Sequence, residues 1–84
     1  MNENLKEKFI ANLDRYMTMF LDRDVKNCQR LNEIKSGTKE WDFNFNVLYQ
    51  DRIAYSYLLQ FANETVGRVE VNKLCRKHGV SNEQ

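Results

Sequence analysis

The stretch WDFNFNVLYQDRIAYSYLLQF, residues 41–61, holds seven of the chain's ten aromatic residues, and its conformation decides the fold. Aromatic side chains carry large apolar area and dominate both cores and binding hot spots. The segment reads in two parts. In the first, Trp41, Phe43, Phe45 and Val47 alternate with Asp42, Asn44 and Asn46, and a period of two is a strand signature. The second, from about Val47 to Ala62, reads as a helix. There Arg52, Ser56 and Gln60 recur every four residues and mark a solvent face, while Leu48, Ala54, Tyr55, Leu58, Leu59, Phe61 and Ala62 fill a broad apolar arc. Asp51 falls in that arc, either as an N-cap starting the helix at Arg52 or as a carboxylate needing a lysine or arginine of another helix.

A lone strand cannot satisfy its own backbone. The run GRVEV, 67–71, is the one other strand-like segment. The extended segment near 41–47 is therefore expected to pair there, to pair with another copy, or to lead into the helix.

Upstream, Leu5, Phe9, Ile10, Leu13, Tyr16, Met17, Phe20, Leu21, Val25, Cys28, Leu31 and Ile34 follow one another at steps of mostly three, four or one. That is a helical stripe over about 3–35. Asn2 or Asn4 suits the N-cap, Glu3 and Glu7 suit the helix start, and Lys35 suits its end. The segment SGTKE, 36–40, is a turn signal, with Gly37 placed to stop the helix. Asp24 lies near the middle of the apolar arc and Asn27 within it, which demands compensation. Three explanations are open: a break in the helix near 22–24, a basic partner for Asp24, or an exposed polar end to the stripe.

Downstream, Val69, Val71, Leu74, Cys75 and His78 make a short amphipathic helix over 69–78 that ends at Gly79, with a frayed tail after it. The fold class expected is mainly α: one domain, 1–84, of three to four helices with a short extended segment near 41–47. Its core is expected to include Phe9, Leu13, Tyr16, Phe20, Leu48, Leu58, Phe61 and Leu74.

Composition narrows the function. Thirteen basic residues against twelve acidic leave a net charge of +1 with the signs interspersed, unlike the basic excess of a dedicated nucleic-acid binder. No proline and only three glycines permit long helices. Cys28 and Cys75 are far apart and fall on apolar helix faces, so they are expected to be reduced core residues of a cytoplasmic protein. No apolar run approaches the roughly 20 residues that span a bilayer, and the charged start lacks the apolar run of a signal peptide.

Motifs for chemistry are sparse, and no catalytic residue, cofactor or metal is expected. His78 in RKHG suits a helix end, where it caps carbonyls. Asp22 and Asp24 diverge on a helix and flank Arg23, which favours ion pairing over a catalytic carboxylate pair. The string VNKLCRKHGVS, 71–81, resembles the first helix and turn of a transposase-type helix-turn-helix. With five residues after Gly79, no recognition helix is expected to follow, leaving Arg68, Lys73, Arg76 and Lys77 to touch phosphates without reading bases.

The reading that best accounts for the aromatic surplus is a non-enzymatic regulatory protein that binds another protein, as a homodimer. Trp41, Phe43, Phe45 and Tyr49 are the expected anchors, with Asp42 and Asn44 at the polar rim. The composition fits an accessory protein of a phage or other mobile element, an inhibitor or adaptor of a larger machine. Phosphate contacts by the C-terminal basic helix are the alternative.

Overall fold

The computed structural model describes residues 2–83. Three helices follow one another: α1 (Glu3–Glu33), α2 (Lys39–Val66) and α3 (Arg68–His78). The first two form an antiparallel hairpin in a body of 50 × 19 × 18 Å. The pairing of Lys6 with Glu70 at one end of α3 and of Asp14 with His78 at the other shows that α3 runs alongside the N-terminal half of α1, in the same direction.

The stripe on α1 forms one unbroken helix. Asn2 caps it, its Oδ1 accepting from the Leu5 amide at 2.8 Å. The expected break near Asp24 does not occur, because Arg52 of α2 grips that carboxylate, its Nε at 2.7 Å and its Nη2 at 3.1 Å. One residue earlier on each helix the signs reverse, and Arg23 holds Asp51 at 2.9 and 3.0 Å. Asp51 is thus a mid-helix residue paired across the hairpin, not an N-cap. The helix stops at Glu33, before Gly37, where Ile34 turns extended.

The expected extended segment at 41–47 is helical throughout, as the first two turns of α2. Thr38 is the N-cap that starts it: its Oγ1 accepts from the Trp41 amide at 3.1 Å and donates to the Lys35 carbonyl at 2.8 Å. Glu40 and Asp42 in the first turn complement the positive end of the helix. The proposed ladder with 67–71 is likewise ruled out, since those residues lead into and belong to α3. Gly67, at φ 90° and ψ 156°, separates α2 from α3. That region of backbone space is open essentially to glycine alone.

The core lies at one end of the hairpin, where Leu13 and Met17 of α1 meet Leu59 and Ala62 of α2 and Val71, Leu74 and Cys75 of α3. Phe9, Ile10, Tyr55, Leu58, Val66 and Val80 pack around it. Leu48 is buried farther along α2. Tyr16 and Phe61, expected in the core, are exposed; three helices need only the inner part of each stripe, and Met17, Leu59 and Ala62 supply it. Nor does the tail fray as far as Asn82. Gly79 adopts a left-handed conformation that ends α3, and the Asn82 amide donates to Asn63 at 2.9 Å and Asn72 at 2.7 Å.

Candidate functional site

The helical geometry of α2 redistributes the aromatic residues. Side chains four apart are offset by only about 40° around a helix and about 6 Å along it. Trp41, Phe45, Tyr49, Ile53, Tyr57 and Phe61 are spaced in just this way. They form one apolar row that starts beside the hairpin turn, winds across the outward face of α2 and returns to α1. Its rings stack: Trp41 on Phe45 at 5.3 Å and 9°, and Phe45 on Tyr49 at 6.3 Å and 12°. At the far end Phe61 meets Phe9 of α1 at 5.9 Å, tilted by 50°.

Much of this row faces solvent, with Phe45 43%, Tyr49 54%, Tyr57 67% and Phe61 57% exposed. Ile53, Ser56, Tyr57 and Gln60 border an open depression of about 460 Å³ on the same face. From Phe43 to Asn63 the only charged residues are Asp51 and Arg52, and both are engaged by Arg23 and Asp24 of α1. In a chain that is 30% charged, about 30 Å of helix surface carries no unpaired charge. Aromatic enrichment with charge depletion is the compositional mark of an interface centre.

The expected anchors separate on this framework. Trp41 is half-buried, and Phe45 and Tyr49 stand on the exposed row. Phe43, 67% exposed, sits about 160° around the helix from both Trp41 and Phe45 and does not join them. Asp42 is exposed. Asn44 is half-buried; it accepts from Arg30 Nε at 3.1 Å and donates to the Glu40 carbonyl at 2.8 Å. Tyr57 and Ile53, central to the row, were outside the expected set. The regular four-residue spacing from Trp41 to Phe61 is the signal that identifies them.

A second apolar recess of about 240 Å³ lies between α1 and α2, walled by Phe9, Leu13, Tyr16, Leu58 and Phe61 with Asn12 at its edge. Asp24 and Asp51 border a cleft of only about 30 Å³, room for about one water. Each carboxylate there has its own arginine, and Arg52 above all holds the Asp24 carboxyl below the usual carboxylate range. Among the described residues no group of three or more His, Cys, Asp and Glu side chains is placed to hold a metal ion. No helix of the described residues is long and apolar enough to cross a membrane.

The basic residues near α3 are largely occupied within the molecule. Lys73 lies 3.5 Å from Glu70, Arg68 donates to the Asn82 carbonyl at 3.2 Å, and Lys77 pairs with Asp14. Arg76 is exposed. His78 does not cap carbonyls; its Nε2 is 2.5 Å from Asp14, tying the end of α3 to α1. Lys77 first, and then His78, hold the Asp14 carboxyl below its ordinary range. Cys28 and Cys75 are both free thiols. Cys75 lies in the core, where burial pushes its thiol up.

No protein-family model matches this chain, and no curated protein or solved structure matches it.

Proposed function

We propose that this protein is a non-enzymatic regulator that works by binding another protein chain through the uncharged aromatic face of α2. The observation that carries the reading is the stack of Trp41, Phe45 and Tyr49, continued by Ile53 and Tyr57, on a helix surface free of unpaired charge. Exposed apolar patches of this kind are uncommon on soluble monomers unless something covers them. Tyr49 and Tyr57 each present a ring with a polar tip, the chemistry favoured at interface hot spots. A protein of this build acts by occupancy, as a cytoplasmic inhibitor or adaptor of a larger machine, the role of an accessory protein of a phage or other mobile element.

Affinity capture from a cell extract tests this, comparing the wild type with Phe45→Ala/Tyr49→Ala and with Arg76→Ala/Lys77→Ala. Partner loss confined to the aromatic variant is the expected result. Loss confined to the basic variant, with binding that weakens steeply as salt rises, would instead favour phosphate contacts by α3.

A further inference from the structure

We infer that the occupant of the aromatic face is a second copy of this chain, packed antiparallel across a two-fold axis level with residue 51 of α2; the inference rests on the protein-binding reading of that face. The row is palindromic. Reversing a copy about residue 51 sets Tyr49 against Ile53 and Phe45 against Tyr57, so apolar residues meet at the centre of the row, while Trp41 and Phe61 flank the contact at its two ends. An isologous interface requires such self-match, and an evenly spaced row that is apolar at every mirrored position meets the requirement.

The flanks obey the same symmetry. Asn46 and Gln60 are exposed and Ser56 half-exposed beside the row. Reversal brings Asn46 to the second copy's Ser56, and Gln60 to its Asp42. Carboxamides and hydroxyls each donate and accept, so these groups can pair between identical surfaces. Like charges would oppose that pairing, and here Asp51 and Arg52 are neutralised by α1.

Area and geometry also suffice. Half the girth of a helix about 11 Å across, over about 30 Å, presents roughly 500 Å² per copy. Two copies together reach the roughly 1,000 Å² a specific interface needs. Rows of four-residue spacing interdigitate at a crossing near −50°, which carries the two α3 ends away from each other. The depression beside Ile53, Ser56, Tyr57 and Gln60 then receives the opposing ridge.

Sedimentation equilibrium from about 1 µM to about 1 mM tests the inference, using wild type, Tyr49→Lys, Ile53→Glu and the double variant. Far-UV circular dichroism checks that each keeps its helices, as expected for positions outside the core. The wild type should be a dimer, each single variant should weaken it at least about tenfold, and the double variant should recover most of the loss by pairing Lys with Glu across the axis. A wild type monomeric throughout would overturn the inference, while the extract capture independently decides whether the face binds any protein. A dimer unaffected by Tyr49→Lys would overturn it as well, since self-association would lie elsewhere. Single variants that break the dimer without rescue in the double would overturn the antiparallel register.

Discussion

Asp24 of α1 and Arg52 of α2 meet in a two-pronged ion pair at 2.7 and 3.1 Å, one residue from its reverse, Arg23 with Asp51. Because the sign alternates along each helix, the four residues fit together in one alignment. A slip of α2 by one turn would put Val47 or Tyr55 where Asp51 belongs. Partly exposed pairs of this kind are worth about 0.5–1 kcal/mol each. Asp24→Arg should therefore destabilise the protein, leaving Arg52 facing a like charge, and Asp24→Arg/Arg52→Asp should recover much of the loss. Chemical denaturation of the two single variants and the double supplies the coupling energy. Additive effects would show that the pair does not set the alignment.

Acid should weaken the protein through the same carboxylates. Arg52 holds Asp24, and Lys77 with His78 hold Asp14, below the ordinary carboxylate value. A depressed folded value means that the stabilisation is fully present above the unfolded value, near pH 4, and is lost as pH falls through the folded one. Melting temperatures followed by circular dichroism should fall below about pH 4. In Asp14→Asn/Asp24→Asn that acid limb should be shallower, with a lower plateau near neutrality.

Tyr55 behaves oppositely. Its hydroxyl is buried with no hydrogen-bond partner among the described residues, and burial, with a smaller push from Cys75, raises its pKa to about 12. Stability linked to this group is present below the unfolded value near 10 and is lost as pH rises toward the folded one. Tyr55→Phe keeps the ring that faces Phe20 at 6.0 Å and removes the orphaned oxygen. It should stabilise the fold by about 1 kcal/mol at neutral pH and blunt the alkaline loss. Destabilisation on urea unfolding would mean that the hydroxyl has a partner.

Gly67→Ala should cost about 1–3 kcal/mol. Nothing lies within 4 Å of where a Cβ would stand, so the penalty arises from backbone conformation alone. A calorimetric melt unchanged from wild type would refute it.

Truncation should separate core from surface. Met17 is fully buried, and Met17→Ala should cost about 2–5 kcal/mol. Phe43→Ala, on an exposed side chain, should shift the urea midpoint by little, within about 0.5 kcal/mol. A comparable loss for Phe43 would place it in packing not visible in the fold.

The helical nature of α1 was legible because its three- and four-residue steps persist for about thirty residues. Asp24 and Asp51 were legible as demands: each lay inside an apolar arc and needed a cation. Their partners became definite only when the hairpin register brought positions 28 apart together. The alternation from Trp41 to Val47 pointed to a strand because residues two apart share a face only in extended chain. Capping by Thr38 and inward contacts from Asn44 and Leu48 outweighed that local pattern. The aromatic row lay in the same letters at a spacing of four, masked by the stronger spacing of two. Of the expected anchors, Trp41, Phe45 and Tyr49 stay on the row while Phe43 leaves it, because the two conformations sort neighbours onto different sides.

The one-sided position of the core gives the molecule a polarity of opening. The cluster from Leu13 to Cys75 anchors the α3 end, while beyond Leu48 toward the turn the interior consists of half-buried Cys28, Leu31, Ile34 and Trp41. Amide exchange should be slowest around Met17 and Leu59 and quicken toward residues 34–38, as the hairpin unzips from its tip while its base stays folded. The row from Trp41 to Phe61 begins in the half that opens and ends in the half that holds. Anything seated along it acts as a splint, and the free energy of seating appears as slower exchange at the tip.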